Sequence, residues 1–386
     1  MFGGVGTGAF TIGDRALAQG TKRSAVLLIF LPGGYNALFG SADSFANRSF
    51  GVNNTNMLAL SNGLVVDSSF NALGAFAKAN LATVGINHGI PIHPQAQTAQ
   101  FTVGAQNPVL TLAAAMGGSG SIKCANVGRD LIPGPRNAVN GVTLQTLTDM
   151  KTTIDALGGG TPDVTMPDRA IAANGVTAAQ MMSRFDISGH VNSLNSAETG
   201  YPVAIETLKT PSQPFNPQTL QTAYTLNGTA VNDIKSKMAA AELAIRAGAN
   251  VVTTVIGPFS GNIWDTHGDT SGNLARSNFT RLVLDGLKIF TERMLTEESE
   301  FNVTIAIFGD FARSLPGSDH ATVTVATVMG HKVNQGTTGK VDGNVTFTSE
   351  TPGVEGFWGY IATLAGAPQA TIAAFGGNQH TRLTKV

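Results

Sequence analysis

The stretch GNIWDTHGDTSGN, residues 261–273, sets Asp265, His267 and Asp269 in one short turn behind Trp264. Carboxylate oxygens and imidazole nitrogens are the hard and borderline donors that divalent cations take. A flexible turn can aim an oxygen, a nitrogen and a second oxygen at one ion. Asp and His are also ordinary loop residues that cap helices and close turns. What favours a site is the company the turn keeps. Asn36 follows the Gly-Gly of LPGGYNALFG, and His88 and His93 lie in GINHGIPIHPQAQ. Asp310 and Arg313 follow in FGDFARS, and Asp319 and His320 in GSDHATV. With His267, and with His331 after ATVMG, five of the seven histidines lie at or near the ends of apolar runs.

Those runs are the elements that must position them. SAVLLIFLPGG, residues 24–34, is apolar without interruption from Ala25 to Leu31 and is stopped by Gly-Gly. A run of this kind is a strand buried on both faces, as in a parallel sheet. SFNALGAFAKA has helical spacing of Phe70, Leu73, Phe76 and Ala77, and NLATVGI is the next strand. VLTLAAAMGG reads as a short helix ending in Gly, and SIKCANVG as a strand with Cys124 as a small core thiol. VTLQTLTDMKTTIDALGGG and VTAAQMMSRFD look helical, with Pro, Gly and Asn clusters around them, so residues 131–230 read as a helical and loop-rich insertion or cap. Strong periodicity returns with the helix DIKSKMAAAELAIRAGA and the strand NVVTTVIG. A long amphipathic helix over residues 273–298, the strands FNVTIAIFGD and ATVTVATVMG, and the helix GVEGFWGYIATLAGA complete the order. Strand–helix–strand alternation at both ends argues for an α/β fold. The expected form is a three-layer α/β/α sandwich with a mostly parallel central sheet. Ligands bind such sheets at the carboxyl ends of the strands, where the acids and histidines named above fall.

Composition narrows the classes of function. The formal net charge is −1 and no block of Lys and Arg forms a phosphate-binding stripe, which argues against nucleic acid as a partner. One cysteine excludes an intramolecular disulfide, cysteine-rich zinc sites and iron–sulfur clusters. No run reaches 18 apolar residues, so no membrane span is expected. Charged residues are 13% of the chain and Gly is abundant, a mix closer to exported proteins than to cytosolic ones. Residues 1–23 read as a flexible leader or the remnant of an export signal ending near ALAQG, and 24–386 as a single α/β domain.

LIFLPGGYNAL, HPQAQ, IWDTHGD, GDFAR and SDH, in that order, resemble the DUF1501 family of the alkaline-phosphatase-like superfamily. Its members carry patterns close to L-x-G-G-x-D-G-L, S-H-F-x-A-Q, G-W-D-T-H, G-E-F-G-R and R-D-H. The likeness covers about residues 24–105 and 235–335, and WDTH with GDFAR downstream is its specific part. The resemblance implies export, often through a twin-arginine signal, to the periplasm or cell surface. It also implies one or two divalent metals (Zn, Mn, Ca or Mg) that activate a Ser or Thr nucleophile against a phosphoryl or sulfuryl group. Carried across, Asp265, His267 and Asp310 would be ligands, and His320 a ligand or a substrate contact. His93 matches the histidine of S-H-F.

Two departures matter. Asn36 stands where the family has Asp and brings an oxygen without its charge. Ile92 stands where it has Ser, and isoleucine cannot attack an ester. Thr98 is the nearby hydroxyl; Arg313 could clamp an anionic group or pair with a neighbouring acid. Three readings follow. The first is a metal-dependent hydrolase of small anionic phosphate or sulfate esters. The second is a binding or structural protein with a degenerate site, self-associating as a homo-oligomer or sitting at a cell surface. The third is a hydrolase with water at the metal as nucleophile, which needs no Ser at position 92.

Overall fold

The computed structural model describes residues 22–35, 56–117, 122–154, 177, 217–257, 263–270, 272–314, 319–338 and 351–385. The leader up to residue 21, Asn36 and, Thr177 apart, the helix expected over VTAAQMMSRFD lie outside the described residues.

The strands are β1 (Arg23–Leu31), β2 (Met57–Ala59), β3 (Val65–Asp67), β4 (Leu81–Asn87), β5 (Cys124–Val127) and β6 (Leu144–Leu147). They continue with β7 (Val251–Val255), β8 (Phe301–Gly309), β9 (Arg313–Ser314), β10 (Asp319–His320), β11 (Val323–Gly330) and β12 (Gly336–Thr338). Eight of them form one sheet in the order β12-β4-β11-β8-β1-β7-β5-β6. Every neighbouring pair is parallel except those made by β11, which runs antiparallel to both β8 and β4. The cause is the connection. Between β8 and β11 the described residues form only the antiparallel β9–β10 pair, with no crossover helix among them, so β11 enters from the carboxyl end of β8.

The helices are α1 (Ala75–Ala79), α2 (His93–Gln100), α3 (Pro108–Met116), α4 (Met150–Ile154) and α5 (Pro217–Tyr224). Then come α6 (Ile234–Arg246), α7 (Asn273–Phe279), α8 (Asp285–Met294), α9 (Val354–Ala365) and α10 (Gln369–Ala374). They cover both faces of the sheet, and β1 shows it by alternation. Ala25, Leu27, Ile29 and Leu31 join the core with α6 and α8, while Val26, Leu28 and Phe30 join the core with α3 and α9. This is the α/β/α sandwich expected. No helix among the described residues is long and apolar enough to cross a membrane.

Three local expectations change. The helical reading of residues 142–160 gives way to edge strand β6 followed by the short α4, so part of the expected insertion extends the main sheet. Residues Ser68–Ala72 form a separate 3-10 turn capped by Asp67, and α1 begins only after Gly74. The long helix runs from α7 through a π turn at Thr280–Leu284 into α8; Leu274 is 54% exposed, while Leu287 and Phe290 are buried.

Candidate metal centre

The register brings the site together. Leu31 pairs with Gly309 and Phe30 with Val255, so β1, β8 and β7 end level and release Gly33, Asp310 and the turn carrying Asp265 at one rim. Asn87 pairs with Val323, so β4 ends beside β11, and α2 starts at His93 above the same rim. Gly33 makes the junction possible. Its φ is +113°, and a Cβ there would lie 2.8 Å from the Asp265 backbone nitrogen.

Asp310 is fully buried. Its carboxylate accepts the Gly33 N–H at 3.1 Å, the His93 Nδ1–H at 2.7 Å and the Gln97 amide at 3.0 Å. A carboxylate only accepts, so His93 Nδ1 carries the proton of this bond, and a neutral ring then keeps its lone pair on Nε2. That Nε2 is buried without a hydrogen-bond partner and faces Asp265 Oδ2 at 3.7 Å. His320 donates Nδ1–H to the Pro91 carbonyl at 2.9 Å, and its Nε2 lies 3.9 Å from Asp265 Oδ1. His267 has Nδ1 3.3 Å from Asp319 and Nε2 3.2 Å from Asp265 Oδ1. The Nε2 atoms of His267 and His320 stand 3.1 Å apart, within hydrogen-bond distance of each other, so of the three rings only His93 has an Nε2 without a partner. All three imidazoles therefore turn Nδ1 outward to an acceptor and Nε2 inward to one carboxylate. Beneath them the fully buried Phe311 ring packs against His93 at 4.5 Å and His320 at 4.3 Å.

Burial opposes ionisation of Asp265, but hydrogen bonding and charge from Arg313, with His93 and His267 nearby, hold its carboxyl below the usual range. Burial lowers His320 and favours its neutral, ligating form; the Pro91 carbonyl resists this, and the surrounding His93, Arg313 and His267 add to it.

These residues fit a cation. His93, Asp265 and His320 each offer one donor atom, all within 4.8 Å of one another. The orphaned buried Nε2 of His93 lacks a partner that an ion would supply. Two nitrogens and an oxygen suit zinc and its neighbours better than calcium or magnesium, which prefer oxygen. Nδ1 bonds to a carboxylate or carbonyl are the usual support of ligating histidines.

Several sequence expectations are relocated. Asp310, expected as a ligand, stands behind His93 with its oxygens already bonded, and His93 takes the inner place. Arg313, read as clamping an anionic group or pairing with a neighbouring acid, takes the second role: it is fully buried and bonded to Asp265 Oδ1 and the Gly33 carbonyl, so it braces Asp265. Thr98 is exposed and donates to the Pro94 carbonyl of its own helix at 2.8 Å, away from the cluster. Asp269 accepts the Ala275 N–H in the first turn of α7, as a cap. His88 accepts the Ile90 N–H, and burial pushes it down to about 4. His331 follows antiparallel β11 and so lies at the opposite edge of the sheet, bonded to the Val303 N–H and the Thr296 carbonyl. Gln97, Phe311 and the Gly33 amide were missed. Gln97 had a signal, the last residue of HPQAQ, one helical turn after His93.

No family model matches the sequence, and no curated protein matches it. Among solved structures, the crystal structure of Ps i-CgsB in complex with k-i-k-neocarrahexaose is similar at 10% identity and a TM-score of 0.36, over 92% of this chain and 75% of that one. A likeness that weak carries no argument about activity.

Proposed function

We propose that this protein is a metal-dependent hydrolase of small phosphate or sulfate esters, with His93, Asp265 and His320 holding one divalent cation. The observation that carries the reading is the shared arrangement of three imidazoles, each with Nδ1 engaged and Nε2 turned toward Asp265. When bound, the cation supplies Lewis acidity toward an ester oxygen and a water. Asp310 and the Pro91 carbonyl fix the two ligating rings, and Arg313 fixes Asp265. His267, whose side chain is 50% exposed, stands at the open side with Asp319 on Nδ1 and receives the proton of the attacking water at Nε2. Water is the nucleophile of this reading because Ile92 carries no hydroxyl and the Thr98 hydroxyl is bonded to its own helix.

The test is a panel of chromogenic phosphate and sulfate esters together with metal analysis. Asp265→Ala should lose bound Zn²⁺ and turnover together. His267→Ala should keep the metal and lose turnover. Turnover unchanged in both variants sinks the reading. A protein on the same scaffold that binds metal or ester without turnover is the second reading, favoured by Ile92 at the position where the resemblance places Ser. Wild-type protein that takes up Zn²⁺ but cleaves none of the panel would favour it. Export to the periplasm or cell surface and self-association belong to the same proposal. Cell fractionation of the native protein and its sedimentation in solution test them.

A further inference from the structure

A neutral His93 imidazole carries one proton, and a carboxylate faces each of its two nitrogens. Asp310 Oδ2 lies 2.7 Å from Nδ1, and Asp265 Oδ2 lies 3.7 Å from Nε2. With the proton on Nδ1, the Nε2 lone pair is open toward Asp265. With the proton on Nε2, an N–H faces Asp265 Oδ2 at 3.7 Å and the lone pair that an ion would need is gone. We propose that Gln97 is the positioning residue that decides which nitrogen carries the proton, by holding Asp310 Oδ2 where His93 Nδ1 meets it; the consequence for metal binding rests on the metal-centre reading above.

Gln97 follows His93 by one helical turn on α2, so both side chains leave the same face and converge on the same oxygen. Its bond must be made by the amide nitrogen, because the carboxylate has no proton to give. The Gly33 N–H is shared between both Asp310 oxygens, at 3.1 Å to Oδ1 and 3.2 Å to Oδ2. Gln97 supplies the one side-chain amide on Oδ2. Without it the carboxylate keeps only that shared backbone donor besides His93 itself, and its aim at His93 Nδ1 loosens. Simple docking of α2 does not need Gln97. Gln100, on the same face, bonds the Asp310 backbone carbonyl at 3.3 Å, and the Trp358 indole donates to the Gln100 carbonyl at 2.8 Å. Gln97 and Gln100 thus separate two roles on one helix, aiming the carboxylate and anchoring the backbone.

The experiment uses the full chain, metal-free and labelled with ¹⁵N-histidine, and reads the His93 tautomer from long-range ¹H–¹⁵N spectra in wild type, Gln97→Leu and Gln100→Leu. Gln97→Asn, too short to reach Asp310 yet polar, serves if the leucine variant does not fold. The expected result is an Nδ1–H ring in wild type and Gln100→Leu, and an Nε2–H or mixed population in the Gln97 variant. Zn²⁺ titration should show affinity weakened by about tenfold or more in the Gln97 variant, and within about threefold of wild type in Gln100→Leu. An unchanged His93 tautomer in the Gln97 variant overturns the proposal, as does an equal change in both variants. Wild-type protein that binds no Zn²⁺ while its tautomer still depends on Gln97 would sink the metal-centre reading and uphold this one.

Discussion

Two carboxylates in this protein, Glu242 fully buried and Asp265 partly buried, sit among cations and rings, and they are finished differently. Glu242 on α6 is fully buried, and its oxygens accept Arg246 Nε at 2.9 Å, Arg293 Nη2 and Nε at 2.8 and 2.7 Å, and the Tyr224 hydroxyl at 2.9 Å. Burial opposes its ionisation, but hydrogen bonds from Arg293 and Arg246 outweigh that and hold it below the usual range. Both oxygens are satisfied, and the cluster ties α5, α6 and α8 together. Asp265 is braced by Arg313 in a similar way, yet the imidazoles around it keep their Nε2 atoms turned inward, and that of His93 has no hydrogen-bond partner. An ion cluster that satisfies itself is architecture. One that holds lone pairs in reserve is a receptor.

The sharpest break of this comparison separates the two losses. Asp265→Asn should abolish Zn²⁺ binding and ester turnover, measured by titration and kinetics. Urea unfolding should show a loss of stability as well, because the fully buried Arg313 gives up its charged partner. Glu242→Gln should cost stability alone: a loss of about 3 kcal/mol, because Arg293 loses its carboxylate and Arg246 keeps only that of Glu300, with normal Zn²⁺ affinity in the folded fraction. Equal effects of both variants on metal affinity would dissolve the distinction.

Gly33→Ala should fall between them. The residue holds φ +113° and touches Asp265 by backbone, so alanine should cost about 1–3 kcal/mol and weaken Zn²⁺ binding as well, seen in paired unfolding and titration curves.

Acid should act on the two kinds of group in different windows. His88 and His380 are pushed down to about 4 by burial, and His331 is lowered by burial as well. The unfolded chain binds these protons from about pH 6.5 downward while the folded chain does not. Stability from these groups is therefore full above about 6.5 and is lost as pH falls toward 4. Glu242 is also depressed, so its contribution is lost only at lower pH, as its carboxyl takes a proton in the folded state. Denaturant midpoints measured from pH 8 to 3 should fall in two stages, and His380→Asn should shrink the upper one.

The smallest effect belongs to Thr98→Ala. Its hydroxyl is exposed and bonded within α2, so Zn²⁺ affinity and turnover should stay within about twofold and stability within about 0.5 kcal/mol. A large loss of turnover would return Thr98 to the site.

The sequence by itself determined the sandwich and the rim. Apolar runs such as Ala25–Leu31 can only be buried on both faces, and a chain alternating strands with helices has few ways to do that. It also marked Asp265, His267, His93 and His320, because acids and imidazoles recur after several apolar runs whose carboxyl ends a parallel sheet brings to one rim. Tertiary structure decided their ranks. Whether Asp310 touches the centre or stands behind His93 depends on where α2 docks against β8, and no spacing along the chain encodes that contact between residues 93 and 310. The reversal of β11, which sends His331 to the far edge, is likewise set by pairing rather than pattern. Strand direction is a relation between segments, and side-chain roles in a cluster are relations among atoms brought together only by folding.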